Sequence, residues 1–359
     1  MLFGGALAFY ASFFALFYRF WAPIYALRWL GLASAFGVWQ FVFLWRNLHL
    51  NRRNGESDLL ASLGWANRVS FLRGIFIAAL FGFLFSPWAE GWLAWLPFTF
   101  YLFAALSDIL DGYLARISNQ VTELGAALDM NNDSWGVLIV TGLIFWYGQV
   151  PVWYLAVGLA RYLFIFGLWL REKLGKENLE MPFSFRRRIF AGVQMGFIVS
   201  MLTPLFSPPA TTIVATLFML PFLGGFLYDW FLIVGKIDSA KGATFFDNLL
   251  VSAWMRWLPP ALRLGIILSL AHIAINQSLG WLWASAQILL MGLLFFGVLG
   301  RLASILCLIF VGLNFSSALP VAIILLFFAA ALLFTGTGAF SLWSPEDWLI
   351  YHRAGERHV

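Results

Sequence analysis

Asp108-Ile-Leu-Asp111-Gly112-Tyr-Leu-Ala115-Arg116, then eight residues, then Gly125-Ala-Ala-Leu-Asp129-Met-Asn-Asn-Asp133, sets four carboxylates in strongly apolar surroundings. Three positions separate Asp108 from Asp111 and four separate Asp129 from Asp133, so on helices each pair projects from one face. The spacing predicts two helices that each offer two acidic side chains. A carboxylate inside a membrane span costs about 2.5–3.5 kcal/mol on insertion scales, and four close together repel one another unless a cation neutralises them. Oxygen donors with no His or Cys beside them favour Mg²⁺ or Mn²⁺ over zinc, and such ions bridge carboxylates to phosphates. A solvated helix end with scattered acids is the bland alternative, and it leaves the neighbouring glycines and Arg116 unexplained.

The rest of the chain says which solvent surrounds these acids. Of 359 residues, 62% are hydrophobic and 11% charged, with mean hydropathy +0.85, outside the range of soluble domains. Apolar runs of about 17–25 residues, enough to cross roughly 30 Å of hydrocarbon, recur along the whole length. The expectation is an all-α polytopic membrane protein. Two stretches at about 2–18 and 29–45 precede a block of six, at about 69–87, 91–114, 122–147, 151–171, 187–206 and 210–235. Four more follow at about 258–276, 280–299, 302–315 and 319–338. The predicted organisation is an N-terminal transmembrane extension (1–56), a six-helix core (57–236), a cytoplasmic linker (237–256) and a C-terminal four-helix bundle (257–359). Leu2–Phe17 has no basic segment before it and no small-residue cleavage site after it, so it reads as a retained span or re-entrant helix rather than a signal peptide.

A net charge of +5 and a pI near 9.5 could suggest nucleic acid, but the basic residues sit between spans rather than on a soluble arm. Loops 46–68, 115–120, 171–188 and 236–256, Arg301 and the tail alternate with loops almost free of Lys and Arg. That bias excludes a nucleic-acid partner in favour of membrane lipids, and predicts a bacterial inner (cytoplasmic) membrane with the aspartates on the cytoplasmic side. Arg19 and Arg28 break the alternation and leave the topology of residues 1–45 open. The single cysteine, Cys307, excludes an intrachain disulfide and a cysteine metal site.

Gly112 and Gly125 remove side chains beside Asp111 and one turn before Asp129, which lets a nucleotide approach the helix backbone, and Arg116 offers a cation to a diphosphate. The whole pattern resembles the signature of the CDP-alcohol phosphotransferase family, D-x-x-D-G-x-x-A-R, eight residues, G-x-x-x-D-x-x-x-D, at every constant position. The resemblance covers about residues 57–236 and extends to Asn67-Arg-Val-Ser70-Phe-Leu-Arg73, similar to the family's N-x-x-T-x-x-R segment before the first core helix. It implies a metal site of Asp108, Asp111, Asp129 and Asp133 with two Mg²⁺ or Mn²⁺ ions, and Asp133 as the general base. It implies a cytidine-diphosphate pocket formed by Asn67, Ser70, Gly112, Ala115, Arg116 and Gly125. An acceptor hydroxyl would lose its proton to Asp133 and attack the β-phosphorus, with CMP leaving.

The acceptor is read from arginines. Arg161, inside the fourth core span, should face a polar cavity, and Arg186, Arg187 and Arg188 open the fifth. Both segments are similar to those that bind acceptor phosphate in members of the family, and Arg161 and Arg171 match the spacing in phosphatidylglycerophosphate synthases. Tyr162 departs from that subfamily, as does Arg188-Ile-Phe-Ala before Gln194. The reading favoured is phosphatidyl transfer from CDP-diacylglycerol to a phosphorylated polyol such as glycerol 3-phosphate or inositol phosphate. The alternatives are a soluble CDP-alcohol of the choline or ethanolamine type donating to diacylglycerol, and a non-catalytic lipid transporter on the same scaffold. Residues 257–359 end in Gly336-Thr-Gly338-Ala-Phe-Ser341, weakly similar to the close of four-helix DoxX-like proteins; a role in homodimer formation is one expectation, and Arg263, His272 and Asn276 could line an internal polar site.

Overall fold

A backbone in hydrocarbon has no water to bond to, and a helix satisfies its peptide groups within one segment. The computed structural model describes residues 2–53, 56, 58–118, 121–179, 185–237, 253–276, 280–314 and 319–346, and among them are twelve α-helices and no β-strand. They are α1 (Leu2–Phe20), α2 (Pro23–Arg46), α3 (Trp65–Gly82), α4 (Leu96–Ile117), α5 (Glu123–Trp146), α6 (Leu155–Lys173), α7 (Phe185–Met201), α8 (Ala210–Ile233), α9 (Ala253–Asn276), α10 (Trp281–Phe296), α11 (Gly300–Asn314) and α12 (Leu319–Thr335). By length and composition α1, α2, α4, α6, α8 and α9 can each cross a bilayer, and α7, α10, α11 and α12 contain shorter apolar helices. The chain is an integral, multi-pass membrane protein.

The described helices fall into two compact units, one of residues 1–165 and 195–204, the other of residues 166–194 and 205–359. In the first, α3 is central and packs on α2, α4 and α5. Ala78, Ala79 and Leu80 are wholly buried there, and the Trp29 indole of α2 donates to the Ala79 carbonyl at 2.9 Å. Gly82 permits that approach, because a Cβ on it would lie 2.6 Å from Trp29 Cδ1. Phe9, Phe13 and Phe17 of α1 close over Trp29, Phe83 and Phe100 in edge-on and tilted ring contacts.

Local chemistry sets the helix ends. Thr122 caps α5, its Oγ1 accepting the Gly125 N–H at 3.0 Å, and Glu123 adds negative charge to the positive end of the helix dipole. Pro23 and Pro97 occupy first-turn positions of α2 and α4, where a missing N–H costs nothing. The first core helix spans 65–82 rather than the expected 69–87. Asn67, Ser70 and Arg73 therefore lie within its first turns, not before it, and the backbone leaves the helix at Gly82, with Phe85 at φ 63°. Arg28, which broke the charge alternation, donates to the Phe85 carbonyl at the end of α3 remote from Asn67. It satisfies a carbonyl in the loop that follows α3.

In the second unit α12 packs on α8, α9 and α11, and Phe334 meets Phe190 and Phe218 at centroid distances of 5.6 and 5.7 Å. The chain after α12 folds back through Gly336 and Gly338, both at positive φ. Arg263, buried, donates to the Ala339 carbonyl at 2.8 Å, and Arg301 donates to the Leu333 carbonyl at 2.6 Å. Arg263 thus tethers the glycine-rich ending. His272 and Asn276 are exposed, and Asn276 Nδ2 bonds the His272 carbonyl one turn back at 2.9 Å, so the two do not line an internal polar site.

Candidate active site

Asn67, Ser70 and Arg73 recur every three residues and share one face of α3. Opposite them stand the last turns of α4, with Asp108, Asp111, Gly112, Ala115 and Arg116, and the first turns of α5, with Gly125, Asp129 and Asp133. One carboxylate oxygen from each of Asp108, Asp129 and Asp133 lies within 4.8 Å of the other two. Asp111 falls outside that trio; it is buried, and its Oδ2 accepts the Ser70 hydroxyl at 2.7 Å. Acids from both α4 and α5 meet here, but the four divide into a trio and a separate Asp111, which their spacing alone does not indicate.

Arg73 enters from beneath. It is 6% exposed, and its Nη1 donates to Asp108 Oδ1 at 2.6 Å and Asp129 Oδ1 at 2.9 Å, while Nη2 donates to Asp133 Oδ1. From sequence alone Arg73 has a place in the Asn67–Arg73 motif but no role. Its spacing from Asn67 and Ser70 was the available signal. A buried guanidinium needs carboxylate partners in such surroundings, and here it has three. Four carboxylates face one guanidinium, so the cluster keeps an excess of negative charge. The side chains of Asp108, Asp129 and Asp133 remain 40%, 51% and 31% exposed, within reach of an ion from outside. An all-oxygen donor set with this excess suits a hard divalent cation, and Asp108, Asp129 and Asp133 are the residues that would hold it.

The predicted nucleotide residues form a layer beside the acids. Asn67, buried, donates to Asn51 Oδ1 at 3.1 Å and accepts the Thr122 hydroxyl at 3.1 Å. A Cβ on Gly125 would stand 2.8 Å from Asn67 Oδ1, so the space that glycine leaves is taken by Asn67. Gly112 is more open: the nearest atom to its missing Cβ is Arg116 Nη1 at 3.4 Å, which lays the exposed Arg116 side chain back along α4. Ala115 is half-buried on the same helix. The loop before α3 is pinned to this layer by Arg52, which pairs with Glu123 at 2.9 Å, and by Asn51.

The predicted acceptor arginines divide. Arg161 of α6 is half-buried and within electrostatic reach of Asp133; its neighbour Tyr162 packs against Trp135, two residues beyond that aspartate. Arg171 closes the end of α6 instead, donating to Asn178 Oδ1 at 2.9 Å and the Glu177 carbonyl at 2.8 Å. Arg187 pairs with the buried Asp229 of α8 at 3.5 Å. The side chains of Arg186 and Arg188 lie outside the described residues.

Residues 63–228 match the family model described as CDP-alcohol phosphatidyltransferase. The chain is also 36% identical, over 102 residues, to a protein named CDP-diacylglycerol–glycerol-3-phosphate 3-phosphatidyltransferase from Cereibacter sphaeroides. That stretch is 28% of this chain and 44% of the relative, so the chain spans under half of the relative's length. No solved structure matches. The family match ends before residues 257–359, and the expected DoxX resemblance there finds no support in it.

Proposed function

From the premise that residues 63–228 are a CDP-alcohol phosphatidyltransferase domain, we propose that the protein transfers a phosphatidyl group from CDP-diacylglycerol to a phosphorylated polyol, glycerol 3-phosphate being the first to test. The observation that carries this reading is the convergence of Asp108, Asp129 and Asp133 within 4.8 Å at one end of an apolar helix group, beside the glycine and asparagine layer of the family motif. The name of the Cereibacter sphaeroides relative supports the choice of donor and acceptor.

In this mechanism Asn67, Ser70 and Gly125 form the cytidine side of the pocket, and Arg116 meets the diphosphate. Asp108, Asp129 and Asp133 would hold Mg²⁺ or Mn²⁺, with Asp111, which here accepts the Ser70 hydroxyl, as the fourth ligand of a proposed two-ion site. A divalent cation in that site would supply positive charge against the diphosphate and the departing CMP. Asp133 takes the proton of the acceptor hydroxyl, whose oxygen forms a bond to the β-phosphorus as the bond to CMP breaks. Arg161 is the preferred ligand for the acceptor's own phosphate, because its charge acts on Asp133; Arg171 and Arg187 are already engaged, and Arg188 completes the candidate set. The loop charge bias favours a bacterial inner membrane with the aspartates facing the cytoplasm, and a homodimer is the proposed assembly.

CMP release tests the reading. Purified protein with CDP-diacylglycerol, Mg²⁺ and glycerol 3-phosphate should release CMP, and Asp133→Asn should lower the rate by at least about 100-fold, within the range of general-base catalysis. No CMP from any phosphorylated polyol, or an active Asp133→Asn, would sink it.

A further inference from the structure

The family match begins at residue 63, yet the polar layer behind the aspartates is completed from outside it. Gln40, on α2, is 2% exposed. Its Oε1 accepts Asn131 Nδ2 at 3.1 Å, and its Nε2 donates to Asn132 Oδ1 at 3.3 Å. These asparagines stand between Asp129 and Asp133. Asn132, 1% exposed, donates in turn to the Ser70 carbonyl at 2.7 Å, and the Ser70 hydroxyl holds Asp111. Gly74 makes room, since a Cβ there would come within 3.2 Å of Gln40 Cδ and 3.3 Å of Asn132 Oδ1.

Holding α2 against the core does not require such an arrangement. Trp29 does so towards the other end of α2 with aromatic packing and one bond to a carbonyl. An amide carried into this layer is costly unless both its ends are used, and Gln40 uses them on adjacent residues of one helix. Residues 131 and 132 project about 100° apart around α5, so gripping both resists rotation of the helix about its own axis. That rotation decides where Asp129 and Asp133 point.

We propose that Gln40 is a positioning residue of the carboxylate cluster: by clamping Asn131 and Asn132 it sets the rotation of α5 that brings Asp129 and Asp133 against Asp108. α2, which lies ahead of residues 63–228, is then part of the catalytic unit. This inference rests on the phosphotransferase reading.

The test uses the full chain in detergent, with Mn²⁺ binding followed by electron paramagnetic resonance and CMP release measured with CDP-diacylglycerol and glycerol 3-phosphate. Gln40→Met keeps the side chain's length and loses both bonds. Outer-shell partners of metal ligands are typically worth about 10–100-fold in affinity or activity. Gln40→Met is therefore expected to weaken Mn²⁺ binding and lower kcat by about tenfold or more, with KM for the CDP-lipid within about twofold. Gln40→Glu, which retains the acceptor for Asn131, should recover part of both. Trp29→Phe should lower the thermal midpoint and leave Mn²⁺ binding unchanged. A folded Gln40→Met with wild-type Mn²⁺ affinity and kcat overturns the proposal, as does a Trp29→Phe protein with the same losses or a wild type that binds no Mn²⁺. If Gln40→Met does not fold, Asn131→Ala removes one end of the clamp and is judged by the same criteria. A wild type that binds Mn²⁺ but releases no CMP overturns the transferase reading alone, and the Mn²⁺ measurements still decide on Gln40.

Discussion

Arg73 is the residue on which the electrostatics of the cluster turns. With Arg73→Met, Asp108, Asp129 and Asp133 face one another with no cation between them. The thermal midpoint in EDTA is expected to fall, and Mg²⁺ is expected to restore most of it, so the Mg²⁺-dependent shift exceeds that of the wild type. The loss should stay below the roughly 3–5 kcal/mol of a fully buried broken pair, because the three carboxylates are 31–51% exposed. Gly125→Ala probes the adjacent layer. Its methyl group would sit 2.8 Å from Asn67 Oδ1 and displace it, breaking the Thr122–Asn67 bond. KM for the CDP donor should rise about tenfold, equivalent to ~1.4 kcal/mol, with the thermal midpoint little changed. The aspartates were legible in sequence because three- and four-residue spacing is all that a helix face needs. The withdrawal of Asp111 towards Ser70 was not, since it depends on a contact across 41 positions.

At the scale of elements, α5 carries the most, with Thr122 at its start, two aspartates in its next turns and Gln40 gripping it from α2. Thr122→Ala removes the cap and the bond to Asn67, and should cost about 1 kcal/mol or more. Thr122→Ser should keep most of that stability. Thermal unfolding of both variants in detergent compares them. Apolar runs located the helices well, to within a few residues for α5, α8 and α11. They fell short at the start of α3, where the polar Asn67 and Arg68 left the helix's first turn, from Trp65, to the expected loop. The clamp on α5 was beyond such reading altogether. A glutamine and two asparagines 91 and 92 positions away leave no periodicity to detect.

For the molecule as a whole, the family match and the packing divide the chain differently. α8 lies largely within residues 63–228, yet Phe218 packs on Phe334 of α12, far beyond that range. A chain lacking residues 253–359 would leave the α12-facing sides of Phe190 and Phe218 uncovered. It is expected to lose thermal stability and to run as aggregate on size exclusion; a monodisperse, equally stable truncation would show α7 and α8 to be self-sufficient. The same reasoning applies at the other end, where the amide behind the aspartates comes from residue 40. A chimaera that transplanted residues 63–228 into a foreign membrane scaffold would carry Asn131 and Asn132 without their bridging amide. The segment fit to be transplanted starts at Pro23, and its recipient would inherit a helix that family boundaries assign to no one.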